Sequence, residues 1–597
     1  MTAILTKPAE QVRDHEKHRL TSVTGIAGLG LDAIASVAYG PEAIVLVLAA
    51  AGSVGMGATI PVTIAIVLLL LLLVATYRQV IAAFPDGGGA YTVATRHLGR
   101  SAGLVAAASL VIDYVLNVAV SVAAGVAALT SAFPALLAWT PELCVVVLLV
   151  IAAINLRGIA MSARLFALPA AVFVVAVLIV VGIGLIHGGP VHPLPAPTQP
   201  VTVGSVGILL VLAAFGNGCA ALTGVEAIAN ATPSFRKPRQ RRARTAEAGL
   251  GLLLGVLLIS LAVVIDRYGA RPVAGRTILS LVTEGSLGNG VGYVVVQLST
   301  VVLLALAANT SYGGLPVLAA KLAADDFLPH VFGLRADRMV HRYGVFVLAA
   351  LSGALLIGTA GNVNILVPLF AIGVFVGFLL CQVGMFRHWR EVRGRAWRWK
   401  AAFSVFGAAM TAAALLVVTA SKFLEGGWLI VLVLPLLVVG FTVVRRAYQR
   451  IGAAIDVDAM PAQPRRTGCV VVVPVVSITR LAAESLSTAM SMGDRVVALH
   501  VAFDDETEAN RKFAERWQQW RPDVPLVMLD SAHRTIDEPI VRYVKSLPEG
   551  RVVVLIGEIE PTRLWERILR NRRGAVVARA VGRRTCAVVC RLRFRLT

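Results

Sequence analysis

Apolar segments of about 20 residues recur from residue 25 to residue 446, separated by short polar loops. That length crosses the hydrocarbon core of a bilayer as helix. Twelve spans are expected, at roughly 25–50, 58–84, 102–130, 142–158, 163–187, 204–234, 246–266, 290–320, 342–360, 363–386, 400–420 and 428–445. Two of them carry an interruption, SVAYGPEA at 36–43 and ALTGVEAIAN at 221–230. Each sets a glycine and a hydroxyl near an acid: Tyr39 and Gly40 with Asp32 upstream, Thr223 and Gly224 with Glu226. Irregular backbone at membrane depth is tolerated only where it is buried in protein or lines a cavity. Broken spans at matching places in two halves are the best sequence pointer to a transporter's binding site. The interrupted spans are the first and the sixth, which suggests an inverted repeat of five helices plus five with two further spans outside it.

After residue 450 the pattern changes to short strands and amphipathic helices. The chain reads strand CVVVVPVV, helix ITRLAAESLSTAMS, strand RVVALHVA, helix ETEANRKFAERWQQW, strand PLVMLD, helix EPIVRYVKSL, strand RVVVLIG, helix PTRLWERILR and strand CAVVCRLR. Nearly continuous apolar strands alternating with helices indicate a parallel sheet covered on both faces. The expected division is an N-terminal segment 1–24, a membrane part 25–446, a linker 447–467 and an α/β domain 468–597. That last domain resembles a universal-stress-protein module. ATP-binding members carry a Gly-rich phosphate loop after the fourth strand, where this chain has GEIEPTRLWE, so ATP binding is not expected. Dimerisation or regulation is the expected role. Arg573, Arg579, Arg583 and Arg584 make a basic stretch, for which a solvated or lipid-facing surface is the commoner explanation and phosphate contact the sharper one. Cys586 and Cys590 lie roughly 13 Å apart on a strand, too far for a disulfide, and are expected as core thiols.

Composition agrees with a membrane protein: 57% of the residues are hydrophobic and the mean hydropathy is +0.78. A net charge of +21 admits a nucleic-acid partner, but the positive-inside bias of a polytopic protein explains it more simply. Loop charges fix the expected orientation. Arg96 and Arg100, Arg157 and Arg164, the RKPRQRRAR cluster at 236–244, Lys321, Arg335 and Arg338, and Arg387 to Lys400 follow alternate spans, whereas loops 131–141, 188–203 and 361–362 hold no Lys or Arg. Loop 267–289, with three arginines, is the one poor fit. Both termini are therefore expected in the cytoplasm, with the chain in the cell membrane as a multi-pass protein. No cleavable signal peptide is visible, and the six cysteines show no metal spacing.

A charge at the bilayer centre costs about 2.5–3.5 kcal/mol on insertion scales, so each acid within a span needs a local reason. Asp32, Asp113 and Glu226 have no mid-span Lys or Arg to pair with. Asp113, Asn117 and Ser121 are spaced i, i+4, i+8 and share one helix face; Thr223 and Glu226 are helical neighbours. Asn117 and Ser121 serve equally as interhelical hydrogen bonds. Glu42 follows Pro41 and reads first as an ordinary helix cap, and Asp86 in FPDGGGAY as a turn residue. The ensemble offers hard oxygen ligands that suit a weakly hydrated cation. Burial disfavours a carboxylate's charged form, so such groups can exchange a proton for a cation, and proton coupling is expected over sodium coupling.

The strings GLGLDAIASVAYGPEAI, FPDGGGAYTVATRHLG, DYVLNVAVSVAAGV, TGVEAIAN and LFAIGVFVGFLLCQVGM resemble a bacterial group of the amino acid–polyamine–organocation superfamily. More narrowly they resemble the KimA type of potassium–proton importers of the KUP family. The resemblance implies a LeuT-like fold, a homodimer joined largely through cytoplasmic domains and potassium import driven by protons, and it allows inhibition by cyclic di-AMP. It points to Tyr39, Asp113, Tyr114, Ser121 and Thr223 along the ion path, with Tyr39, Asp113 and Thr223 as potassium ligands and Asp32 and Glu226 in proton coupling. Two positions depart from the family pattern: Asn117 stands where Thr is usual and keeps an oxygen, while Phe370 stands where Tyr is usual and has none. No enzymatic cofactor is implied.

Two other readings stay open. A permease for amino acids or cationic amines fits the same fold, although an acidic site opposes a substrate carboxylate. A membrane-embedded sensor is the alternative of another class, but no phosphotransfer His, kinase loop or DNA-binding motif follows. Hydrolytic motifs are also lacking, so an enzyme is not expected.

Overall fold

Leu, Val, Ile and Ala fill the long helices almost without charge, so each satisfies its backbone internally and turns apolar side chains outward. A computed structural model of the chain describes residues 19–85, 87, 89–157, 163–197, 207–334, 341–454, 468–503, 507–520, 523–531, 535–548, 551–560 and 573–595. Among these, ten helices are long and apolar enough to cross a membrane. The last candidate runs from Trp397 to Ile451 and bends at Gly426, whose φ is 119°. Arg342–Gly358 is a shorter apolar helix. Leu68, Leu149, Ile179, Leu252, Leu416 and Leu432 are exposed on the outer faces, as expected where lipid is the solvent. The chain is a polytopic helical membrane protein with a separate α/β domain, forming two compact units, Met1–Ile455 and Asp456–Thr597.

The Arg100–Ala132 helix packs against the Val291–Ala324 and Val363–Val392 helices. Around this centre lie the two broken spans. The second break is where the sequence suggested: a tight turn over Cys219–Leu222, Thr223 in extended conformation and Gly224 at φ 77°, then a short helix Ala227–Asn230. A φ near +77° is costly for any residue with a Cβ.

The first break differs from expectation. The helix Leu31–Leu48 runs unbroken through Gly40 and Pro41, and the interruption falls at Gly30, after a short helix Ser22–Leu29. A proline forfeits only one hydrogen bond, and the turns around it stay helical. At Gly30 a Cβ would meet the Ile26 carbonyl oxygen at 2.6 Å and Leu250 Cδ1 at 2.9 Å, so the backbone turns there against the Arg239–Tyr268 helix. Gly40 has another use. Its Cβ would lie 2.6 Å from Ala221 Cβ, which makes it the contact point between the two spans.

Backbone bonds tie the far ends of these spans together. Leu20 N–H donates to Ser234 O at 3.0 Å, and Arg236 N–H donates to Leu20 O at 2.9 Å. The ring of Phe235 fills the space that a side chain on Gly25 would need. The poorly fitting loop 267–289 also has an explanation, because it holds a buried helix, Ile278–Leu287, and local partners for two of its three arginines. Arg276 pairs with Glu284, and Arg267 donates to Leu185 O at 2.9 Å. The final helix of the membrane unit runs to Ala454, beyond the expected end at 446.

The α/β unit holds five parallel strands, β1 (Cys469–Pro474), β2 (Arg495–Phe503), β3 (Leu526–Ser531), β4 (Arg551–Glu560) and β5 (Val588–Arg595), in the order β3-β2-β1-β4-β5. Val471 and Val473 point to one apolar layer, and Val472, Val497 and Val554 to the other, which is the alternation of a sheet covered on both faces. The basic stretch is a helix, Arg573–Arg584, that buries Val577, Ala578 and Val581 on one face and leaves its arginines exposed. One expectation is corrected. Cys586 is exposed because β5 starts at Val588; Cys590 is half-buried against the core. The PTRLWERILR segment, Asp86, Arg335 and Arg338 lie outside the described residues.

Thiol accessibility checks this packing. In the folded protein in detergent, a maleimide is expected to label Cys586 within minutes, while Cys144, Cys219 and Cys381, each 0% exposed, react only after denaturation. Rapid labelling of Cys219 would contradict the packing of the second break.

Candidate functional site

The site assembles where the first broken span crosses the second. Asp32 lies in the first turn of the Leu31–Leu48 helix, where free N–H groups favour a negative charge. A Cβ on Gly224 would sit 2.8 Å from both Asp32 Oδ2 and the Ala33 nitrogen, so the carboxyl rests directly on the glycine. One turn on, the Ser36 hydroxyl reaches Ala33 O at 2.7 Å and Ala221 O at 2.9 Å, sharing its one proton between its own helix and the break. Another turn on, Tyr39 Oη lies 3.5 Å from Thr223 Oγ1. Thr223 Oγ1 itself donates to Ala220 O at 3.1 Å, which leaves its lone pairs facing Tyr39.

Asp113, on the Arg100–Ala132 helix, completes an acidic cluster. Asp32, Asp113 and Glu226 lie within electrostatic reach of one another, and each is less than a tenth exposed. One oxygen of each is buried without a hydrogen-bond partner among the described residues. Tyr39 and Tyr114 also feel Asp32 and Asp113. At an effective dielectric constant of about 20, two like charges about 5 Å apart repel by about 3 kcal/mol. Three ionised carboxylates therefore hold together only if a proton or a cation joins them.

The other expected residues divide. Tyr114 lays its ring over Gly314 of the Val291–Ala324 helix, where a Cβ would come within 2.4 Å of Cε1. Asn117 Nδ2 donates to Ser311 Oγ at 3.0 Å, and Ser121 Oγ donates to Asn117 Oδ1 at 3.0 Å. Asn117 thus makes the interhelical bond that was the alternative to a ligand role, Ser121 supports it from the same helix, and the amide oxygen keeps one lone pair. Phe370 is fully buried in the Val363–Val392 helix and brings no polar atom.

Three acids and a phenol have places the sequence did not disclose. Glu42 caps a helix, though not its own: Oε2 accepts from Ile278 N–H at 3.3 Å, at the start of Ile278–Leu287. With Tyr39, Asn217, Pro368 and Lys422 it lines a cavity of about 460 Å³ between the second half of the first span and the first half of the sixth. Glu284 lies on the helix that Glu42 caps and pairs with Arg276. Glu247 is wholly buried, with neither oxygen hydrogen-bonded among the described residues, and Tyr77 lies within electrostatic reach of Glu226 and Glu247. Glu247 follows a basic cluster at the first residues of an apolar run, which is where a flanking charge would stand.

In the α/β unit a crevice of about 720 Å³ opens at the carboxyl ends of β1 and β4, lined by Ser477, Thr479, Arg480, Glu558, Arg573 and Gly574. Strand order reverses between β1 and β4, and such switch points are where open α/β sheets bind ligands.

Residues 24–445 match the amino acid permease family, and residues 465–594 match the KimA potassium transporter C-terminal domain. The potassium transporter KimA of Bacillus subtilis (strain 168) is 36% identical over 579 residues, covering 95% of this chain and 94% of that protein. The chain belongs to the KimA family. It is accordingly a membrane transporter and not an enzyme. Within this family member the acidic cluster lies in the permease-like part, between the two broken spans.

Gly224→Ala tests the contact on which the cluster rests. The left-handed backbone and the 2.8 Å approach to Asp32 together predict a loss of about 2 kcal/mol, read as a fall of several degrees in the thermal midpoint in detergent. An unchanged midpoint would mean that Asp32 does not rest on Gly224.

Proposed function

We propose that this protein imports potassium ions by proton symport through the site between its two broken helices. The observation that carries the reading is the buried trio Asp32, Asp113 and Glu226, close together and without a Lys or Arg ion-pair partner among the described residues. Such a trio takes up positive charge, and its surroundings supply hard oxygens from Tyr39 and Thr223. Potassium is the cargo that the name of the Bacillus relative states. In this reading Tyr39, Asp113 and Thr223 hold the ion, Tyr114, Asn117 and Ser121 line its path, and Asp32 and Glu226 exchange the proton. Glu226 heads a short helix at the end of the break, where a change of charge bears directly on the irregular backbone.

The proposal extends to topology. If the bent Trp397–Ile451 segment crosses twice and Arg342–Gly358 crosses once, the chain makes twelve passes and both termini lie in the cytoplasm, as the loop charges favour. A LeuT-like repeat of five plus five helices follows from the spacing of the two broken spans. The parts are then a cytoplasmic segment 1–24, a transporter 25–446, a linker 447–467 and a cytoplasmic domain 468–597 in a cell-membrane homodimer, with the lipid bilayer as its solvent and no nucleic-acid partner. For the universal-stress-protein-like domain we propose dimerisation and inhibition by cyclic di-AMP. The basic crevice between β1 and β4, with Arg480 and Arg573, suits phosphodiester groups.

Proteoliposomes decide the cargo and the coupling. Rubidium, as a potassium surrogate, is expected to accumulate under an inward proton gradient and to stop when the gradient is collapsed. Asp113→Asn is expected to lower uptake at least tenfold. Saturable amino-acid or polyamine uptake without rubidium flux would favour the permease reading, and a requirement for external sodium would replace proton coupling. Phe370→Tyr, which restores a phenol at a fully buried position, is expected to lower the rubidium half-saturation concentration severalfold; no change would detach this position from the ion path.

A further inference from the structure

Glu247 has no part in the ion site, yet it is the most enclosed acid of the membrane unit. Its side chain is 0% exposed, and neither carboxylate oxygen has a hydrogen-bond partner among the described residues. It lies in the Arg239–Tyr268 helix, eight residues after a start marked by Arg239, Arg241 and Arg242, so a helix rise of about 1.5 Å per residue puts it about 12 Å along the axis from that basic end. Gly251 admits Val74 to within 2.6 Å of the place its Cβ would take, and Gln240 Nε2 donates to Ala82 O at 3.4 Å. These contacts hold the helix against the last turns of Thr59–Ala83, which bring Tyr77 and Arg78. Glu247 lies within electrostatic reach of both Glu226 and Arg78, and Tyr77 within reach of both acids.

We propose that Glu247 is the next carboxyl on the proton path after Glu226, the relay by which the symported proton leaves for the cytoplasm. The inference rests on the proton-symport reading above. In the step, the O–H bond of protonated Glu226 breaks and an O–H bond forms on the Glu247 carboxylate, so the negative charge moves onto Glu226. Tyr77 suits the role of bridge, since a phenol can take a proton on its oxygen while releasing its own. Its hydroxyl is buried beside the Cys381 thiol. Glu247 then gives the proton to water at the cytoplasmic side and is again an anion, with the Arg78 guanidinium as counter-charge. Arg78 Nε is likewise buried and unpaired. The other elements packed on this helix leave the path clear. Ser22–Leu29, Ala227–Asn230 and Thr232–Ser234 carry no titratable side chain, Asp32, Tyr39 and Glu42 of Leu31–Leu48 belong to the site or cap a helix, Glu284 is paired with Arg276, and His187 ends the neighbouring Ala163–His187 helix.

A relay residue is needed for net proton-coupled movement but not for exchange of the ion, and this separates it from a structural acid. Two assays on reconstituted full-length protein are compared: net rubidium uptake driven by an inward proton gradient, and rubidium–potassium counterflow at equal pH on both sides. Glu247→Gln is expected to lower net uptake at least tenfold and to leave counterflow within twofold of wild type. Glu247→Asp, which keeps the acid on a shorter arm, is expected to lose about threefold in net uptake with counterflow unchanged. Net uptake by Glu247→Gln within twofold of wild type overturns the relay, as does a parallel fall in both assays. If Glu247→Gln does not fold, Glu247→Asp decides by the same comparison: wild-type net uptake, or equal loss in both assays, overturns the proposal. Wild-type uptake indifferent to the gradient overturns the symport reading and the relay with it, whereas a gradient-driven wild type with a fully active Glu247→Gln overturns the relay alone.

Discussion

Asp32 resting on the Cα of Gly224 is the contact on which the rest of the membrane unit depends. A carboxyl in the first turn after one break meets the left-handed glycine of the other, and neither position makes sense alone. Without the glycine, a Cβ would separate the spans. Without the acid, the free N–H groups at the start of Leu31–Leu48 would lose the negative charge that complements them. Ser36 on Ala221 O and Gly40 against Ala221 repeat the close approach at successive turns. The crossing is therefore a seam of small residues and backbone bonds, which is how helices associate where lipid and side chain are equally apolar.

The two ends of that seam are held differently. At one end Leu20 donates its N–H to Ser234 O and accepts from Arg236 N–H, so the short helix Ser22–Leu29 is joined to the chain just beyond the second break. At the other, Glu42 accepts from Ile278 N–H beside an open cavity. A strand-like pair of backbone bonds, with Phe235 seated on Gly25, is a stiffer tie than a single contact from a half-buried carboxylate. In the conformation described, then, the end bearing the basic cluster is the more firmly tied. Movement there would require the bonds of Leu20 to Ser234 and Arg236 to part or the joined pieces to swing together, and their joining favours the second.

What could be read from sequence follows from range. Span lengths, the second break and the parallel sheet depend on local periodicity and on single residues such as Gly224, and these emerge from the chain directly. The first break was misplaced because Pro41 is a conspicuous local signal, whereas Gly30 yields to Leu250, a contact more than two hundred residues away. Glu42 was readable as a cap but not as the cap of a helix that begins at Ile278. The Arg573–Arg584 helix was hidden because its buried face is only Val577, Ala578 and Val581, too thin a stripe beside so many arginines. Asp32, Asp113 and Glu226 stood out for the opposite reason: an acid in an apolar run needs no partner to be seen, although its neighbours can be known only from the fold.

Charge balance connects this geometry with the proposed coupling. Three acids and one monovalent cation leave a net charge of two negatives in a dry site, and one proton reduces that to one. The N-terminal turn bearing Asp32 offers about half a positive charge, which offsets part of the remainder without a second metal ion. A site of this composition is most neutral when a cation and a proton are both present, although the two positive charges repel each other directly. Symport therefore requires the coupling to come from a change of conformation that both must be bound to permit. The charge of the carboxylates also explains why losing an oxygen at Phe370 need not abolish binding, since a phenol contributes a dipole where the carboxylates contribute charge. In the proposed reading the fully buried Phe370 alters only how closely an ion is wrapped, while the charge that attracts it stays with Asp32, Asp113 and Glu226.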